Sequence, residues 1–292
     1  MDLRLTELLD PAAAGGRRAV WLATAPDGRP VGVARLRLPD GPGQGHLAEL
    51  DLHVHPAERR CGAGTRLLDA ALGTARGAGR RSVLAQVVGG SGGEAFAAAH
   101  GFRQVLALTY VRLDLAAADL GALRAEAGRA HPGYRLVDWR GTVPDGLAGT
   151  YAASRRAMDD MPTDGADLGR LVWDVDRVRA VAQAVADRGE HLHTVAAVEE
   201  ASGDVVGFTE LVAPPGGRGD ALHYGTAVLP AHRGRGLARW MKAAAALAAR
   251  EQHPGLAGLL ADTADANEAM RRVNAGLGYV PTHRSVEVQR DL

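Results

Sequence analysis

The chain has 292 residues, 46% of them apolar, which is enough for two domains with packed cores and argues against disorder. Its 34 basic and 34 acidic side chains cancel to a formal charge of zero, so neither a nucleic-acid nor a membrane surface is indicated. The single cysteine, Cys61, excludes an internal disulfide framework and fits a reducing compartment.

At the N-terminus, Met1–Asp10 alternates apolar and charged residues and lacks the apolar stretch of a signal peptide. No segment approaches the ~20 apolar residues of a membrane span, so cytoplasm is the expected location. Alternation and β-branched content predict strands at Leu3–Glu7, Arg18–Ala23, Val31–Leu38, Ala48–His53, Ser82–Val87 and Val105–Leu113. Helices fit Gly64–Arg76 and Glu94–His100. The Ala-rich stretch Ala116–Ala130 reads as a linker helix, broken by His131-Pro132-Gly133. Beyond it, strands fit Tyr134–Trp139, His193–Glu199, Val205–Val212, Ala221–Val228, Gly258–Ala261 and Arg284–Arg290. The second set of helices is Leu147–Arg156, Asp176–Ala186, Leu237–Arg250 and Asn267–Leu277.

These elements repeat. Val54-His55-Pro56-Ala57-Glu58-Arg59 returns as Val228-Leu229-Pro230-Ala231-His232-Arg233, with Pro230 lying 174 positions after Pro56. Gly62-Ala63-Gly64 returns as Gly236-Leu237-Ala238 at the same offset of 174. Upstream, Val31-Gly32-Val33-Ala34 resembles Val206-Gly207-Phe208-Thr209, and downstream Gly101-Phe102 resembles Gly278-Tyr279. Repetition in a fixed order points to duplication of a whole domain.

The repeated motif runs from a strand end through an Arg- and Gly-containing turn into a helix. Free backbone N–H groups at a helix start, helped by the helix dipole, make an anion site. Glycine lets the backbone approach a phosphate closely. In the second copy the amides of Arg233-Gly234-Arg235-Gly236-Leu237-Ala238 are placed to cradle a pyrophosphate, with Arg233 or Arg235 supplying charge. A glycine turn alone carries little weight; its recurrence after a Val-x-Pro strand end carries more.

The pattern resembles motif A of the GNAT N-acetyltransferase superfamily, (Arg or Gln)-x-x-Gly-x-(Gly or Ala). Arg59 through Gly64 and Arg233 through Ala238 both match it. Asn267, Met270, Val273 and Leu277-Gly278-Tyr279 resemble the family's helix after the fifth strand. The second half also resembles an actinobacterial two-domain type with mycothiol-synthase-like architecture, through Tyr134–Trp139, Met158-Asp159-Asp160-Met161-Pro162 and His232-Arg233-Gly234. The fold class this implies is α/β with mixed sheets, as two tandem GNAT-like domains of which the N-terminal one is abbreviated. The domains are expected at 1–115 (degenerate), 116–130 (linker helix) and 131–292 (acetyl-CoA and acceptor site).

By the same resemblance, acetyl-CoA is the co-substrate, with no metal, and its acetyl group passes by direct attack to the amine of a small molecule. Val228, Arg233, Gly234, Arg235, Gly236, Leu237, Ala238 and Asn267 would bind the cofactor beside a strand splayed by a bulge. A backbone N–H of that strand would polarise the acetyl carbonyl. His223 and Glu210 are the candidate bases, weighed against an ordinary hydrogen-bonded strand histidine and a solvated edge carboxylate. Asp159 and Asp160 are the candidate acceptor-binding carboxylates, weighed against a plain turn or helix end. The family often has a tyrosine acid four residues before the Gly of its Gly-Phe pair; Asn274 stands there. Tyr224 and Tyr151 are possible substitutes, read more simply as rim or core aromatics.

The copies differ. More than fifty residues separate the first two strands of the second copy, enough for two helices, which by the GNAT resemblance would wall an acceptor site. About ten fill that gap in the first copy. Gly90 also replaces the Asn the family prefers. The first domain therefore reads as mainly structural. The pair His191 and His193 lacks further ligands for a metal site. Two function classes stay open: an amine acyltransferase, or a non-catalytic CoA- or ligand-binding, self-resistance module. The copies can pack as a pseudo-dimer, which leaves a monomer or a dimer open.

Overall fold

The computed structural model describes residues 3–9, 16–41, 43–158 and 172–292. In chain order the first elements are β1 (Arg4–Leu9), β2 (Arg17–Thr24), β3 (Pro30–Leu38), β4 (Leu47–Val54), α1 (Ala63–Gly77), β5 (Ser82–Val88), α2 (Gly92–Ala99), β6 (Arg103–Asp114) and α3 (Leu120–Ala127). Then follow β7 (Tyr134–Arg140), α4 (Asp145–Ser154), α5 (Val175–Asp187), β8 (His191–Glu199), β9 (Val205–Ala213), β10 (Gly219–Val228), α6 (Leu237–Gln252), β11 (Leu256–Ala264), α7 (Glu268–Gly276) and β12 (Val280–Asp291).

Differences from the sequence reading lie at element ends and have local causes. The linker helix is shorter than 116–130. Asp114 accepts from the amides of Ala116 and Ala117, which makes a turn first, and Asp119 then caps α3 through Ala122. Asn267 is not inside α7 but caps it, its side-chain oxygen accepting from the Met270 amide at 3.1 Å.

The chain forms two compact units. The first is built on Met1–Ala107 with the C-terminal Ser285–Leu292, and the second on Leu108–Pro162 with Trp173–Arg284. These units are not cut where the sequence copies are cut. The Leu108–Asp114 half of β6 pairs antiparallel with Gly258–Ala264 of β11 in the second unit. Reciprocally, Ser285–Asp291 of β12 pairs antiparallel with Ser82–Val88 of β5 in the first. Each unit thus takes one strand from the sequence copy of the other.

In the first unit, α1 buries Ala63, Leu67, Leu68, Ala71, Leu72 and Ala75 against the sheet, an i, i+4 stripe. Each buried leucine contributes roughly 1.5–3 kcal/mol. The opposite sheet face is charged: Arg35 pairs with Asp51 and Arg37 with Glu49 across β3 and β4, both at 2.8 Å and well exposed. Among the described residues no helix roofs that face.

The second unit is covered on both faces, so every residue of β9 is buried. Alternation along β8 and a bulge at Val206 of β9 sort its core into two layers. Ala196, Val198 and Phe208 pack with Trp139, Tyr151 and Ala152 toward α4. Val195, Ala197 and Val206 pack with Leu237, Trp240 and Met241 of α6. Gly207 is what lets α6 close in: a Cβ there would lie 3.1 Å from both the Ala227 carbonyl oxygen and Met241 Cε. Gly32 does the same in the first unit, where a Cβ would lie 2.7 Å from the His53 carbonyl oxygen.

Candidate active site

In the second unit β10 and β11 run parallel and pair from Gly219–Leu256 to Leu222–Leu260. Pairing ends there, although β10 continues to Val228 and β11 to Ala264. The strands part, leaving the inner edge of β10 unpaired. At the same point the register of β10 against β9 shifts between His223 and Gly225, so that Tyr224 is the extra residue of a bulge. β4 and β5 in the first unit also stop pairing early, at Leu50–Ala85. There, however, β3 and β4 pair in unbroken register from Gly32–Val54 to Arg37–Glu49. The first unit has the parting without the bulge.

After β10, one 3-10 turn leads to Arg233–Gly236 and into α6. Gly234 and Gly236 adopt φ of 75° and 82°, and Gly236 caps α6 with no side-chain acceptor. The first amides of the helix are therefore presented without an acceptor from the cap. In the first unit Gly62 has φ 81°, and Arg60, a non-glycine residue at φ 64°, stands where Gly234 stands. Val228 ends β10, and Leu237 and Ala238 begin α6, with Leu237 buried beneath the turn.

The two candidate bases lie on opposite faces of the sheet. His223 is buried, with Nδ1 3.2 Å from Thr209 Oγ1 and Nε2 2.8 Å from the Tyr279 hydroxyl. Burial, reinforced by the charge of Lys242, pushes its pKa well below the ordinary histidine value, so the ring is neutral at physiological pH. Lys242 itself is buried on α6, 4.9 Å from the Tyr279 ring centre, and burial pushes it down to about 7 while the charge of Asp262 opposes the shift. Burial raises Asp262.

Glu210 faces α4. It accepts from the Tyr151 hydroxyl at 2.5 Å and from the Arg155 guanidinium, and all three residues are buried. Arg155 stacks over the Trp173 ring at 3.8 Å. Burial, then the charge of Glu210, raises Tyr151 above the usual phenol range. The sequence reading weighs Glu210 as a base against a solvated edge carboxylate; the structure removes the second, burying Glu210 in an ion pair. Arg155 and Trp173 were missed, since only the fold brings them to Glu210. The one signal was spacing: Arg155 lies four residues after Tyr151, on the same helical face.

The remaining candidates fall as follows. Asn267 spends its side-chain oxygen on capping α7. Asn274 is buried and donates through Nδ2 to Thr263 at 3.0 Å. Tyr224 is 41% exposed and accepts from Arg188 at 3.0 Å. Asp159 and Asp160 lie outside the described residues. Among those described, no group of three or more His, Cys, Asp or Glu side chains comes together to hold a metal ion. No described helix is long and apolar enough to cross a membrane.

Parted parallel strands beside a glycine-turned helix start, present twice, are the architecture that the GNAT resemblance implies. The profile of the Acetyltransferase (GNAT) family matches residues 4–102 and 159–279, more than half of the chain, and the chain belongs to that family. A tandem GNAT protein from the clavulanic acid biosynthesis pathway is 30% identical, with TM-score 0.77, over 96% of this chain and 84% of that one. The GCN5-related N-acetyltransferase from Sphaerobacter thermophilus is 18% identical, with TM-score 0.66, over 93% and 80%. That from Kribbella flavida is 17% identical, with TM-score 0.56, over 89% and 87%. No curated protein matches the chain.

Proposed function

We propose that the second unit moves an acetyl group from acetyl-CoA to the amine of a small molecule by direct attack. The observation that carries this reading is the coincidence of two features on β10, the parting from β11 after Leu222 and the bulge at Tyr224, with the open amides at the start of α6. Acetyl-CoA, when bound, supplies the activated thioester. The amides of Gly234–Ala238 and the charge of Arg235 would hold its phosphates. The unpaired edge of β10 offers backbone groups to an extended arm, as a sheet edge does to an added strand. A backbone N–H at the bulge is suited to polarise the acetyl oxygen.

For the proton of the attacking ammonium, the geometry favours Glu210 over His223. Glu210 lies on the face walled by α4, whereas both ring nitrogens of His223 are engaged on the α6 face. His223 is then a positioning residue that ties β10 to Tyr279. Met158 packs on Gly225 of β10, where a Cβ would lie 3.5 Å from its Cε. Asp159 and Asp160 follow it directly, and we retain them as the groups that attract the ammonium. The unbroken register of β4 and the charged face of the first unit favour a structural role for that unit.

Two observations favour the second reading, a binding module without turnover. Glu210 is held by Tyr151 and Arg155, and Asn274 fills the position of the expected tyrosine acid. Thiol release from acetyl-CoA across a panel of small amines separates the two. Amine-dependent release supports the transferase; tight acetyl-CoA binding with no release for any amine supports the module.

A further inference from the structure

The segment Arg129–Pro132, between α3 and β7, is more than a connection. Together with Gly234, Arg235 and Gly236 it lines a cleft of about 490 Å³. The titratable groups on that lining are Arg129, His131, Arg235 and Tyr134, and no carboxylate is among them. The segment is anchored from both ends. Trp240 of α6 donates its indole N–H to the Ala127 carbonyl at 2.8 Å, and His131 stacks on the same indole at 4.3 Å between ring centres. His131 therefore stands directly against the glycine turn, where a Cβ at Gly236 would lie 3.2 Å from its Cε1. The Nε2 of His131 is buried and has no hydrogen-bond partner among the described residues. A buried ring nitrogen in that condition is costly, and because it is sealed from solvent it meets an incoming ligand only when the ring or the adjoining turn shifts to uncover it. Arg129 keeps its side chain 64% exposed and only loosely paired to Glu126, at 3.4 Å, while Glu126 also meets Arg239 at 3.1 Å.

We propose that Arg129 and His131 bind the phosphates of acetyl-CoA, making this segment the second wall of the cofactor's phosphate cleft opposite the Gly234–Gly236 turn. The inference rests on the acetyl-CoA reading above. It adds to the helix-start amides two donors from a separate stretch of chain, chemistry suited to a multiply charged phosphate.

Calorimetry on the full chain with two ligands tests it. Acetyl-CoA carries the phosphates; S-acetyl-pantetheine carries the same thioester arm without them. Arg129→Ala is expected to weaken acetyl-CoA binding about three- to tenfold, the range of one partly exposed charged hydrogen bond. His131→Phe keeps the stack on Trp240 and should weaken it comparably. Neither variant should change competition by S-acetyl-pantetheine, and melting temperatures should match that of the wild type. Wild-type affinity for acetyl-CoA in both variants overturns the proposal. So does an equal loss for both ligands, which marks a general distortion. If the wild type binds no acetyl-CoA, the cofactor reading itself has failed and the proposal falls with it.

Discussion

The Nε–H of Arg233 donates to the carbonyl of Val228 at 2.9 Å, closing the turn back onto the last residue of β10. Arg59 makes the same bond to Val54, at 3.2 Å, 174 positions earlier. The motif's arginine thus fixes the turn geometrically in both units, which on the acetyl-CoA reading proposed above makes Arg235 the charge better placed for phosphate. Replacing Arg233 by Lys removes the Nε–H and should loosen the turn, lowering acetyl-CoA affinity severalfold by calorimetry. Arg59→Lys should cost about 1 kcal/mol of stability in denaturant titration and leave that affinity unchanged. An equal affinity loss in both variants would mean that the first unit also binds the cofactor.

Gly62 and Gly236 offer a test of asymmetry, matched in backbone though not in surroundings, since a Cβ at Gly236 would lie 3.2 Å from His131 Cε1 and one at Gly62 would meet nothing described within 4 Å. Their φ values, 81° and 82°, impose nearly the same backbone strain on alanine, on the order of 1 kcal/mol. Gly236→Ala should sharply reduce amine-dependent thiol release, while Gly62→Ala retains it. The reverse result would place turnover in the first unit.

Glu210→Gln keeps the size of the side chain but removes the base. Turnover should fall roughly 10²–10⁴-fold with acetyl-CoA affinity unchanged. His223→Gln should leave the pH–rate profile between pH 6 and 8 in place, because a ring held neutral does not titrate in that range. Loss of the acidic limb of that profile in His223→Gln would return His223 to the role of base. Both variants leave Arg155 without its counter-charge, but Glu210→Ala also removes the acceptor oxygen that Gln retains and is the poorer probe: it should cost about 3–5 kcal/mol, read as a lowered melting temperature.

Lys242 makes stability depend on pH. Its folded pKa, about 7, lies below the ordinary 10.5, so between those values the unfolded chain binds more protons than the folded one. Stability from this group therefore rises with pH through that window, and the penalty is full below it. Lys242→Met should stabilise the protein most at pH 6 and progressively less toward pH 10, by a few kcal/mol in difference. His223 and Asp262 titrate nearby, so the quantity to compare is the wild-type-to-variant difference in denaturant midpoint at each pH. A difference that does not vary with pH would mean that Lys242 stays charged in the folded state.

The sequence by itself determined the duplication, the order of elements in each copy and the glycine turns after β4 and β10. All of these are local: period 2 and period 3.6 are written in consecutive side chains, and Gly62 and Gly236 mark backbone that other residues enter at a cost. Tertiary structure alone decided the exchange of strands. β6 reads as the last strand of the first copy, and nothing in Leu108–Asp114 says that its hydrogen-bond partner is β11, since ladder pairing depends on a neighbour far away in the chain. The same holds for the candidate base. Glu210 and His223 look alike as isolated polar residues on adjacent strands. The pleat of β9 and the bulge at Tyr224 send one toward α4 and the other toward Tyr279 and Lys242. Burial then pairs Glu210 with Arg155 and holds His223 neutral, because a charge withdrawn from water persists only beside its counterpart.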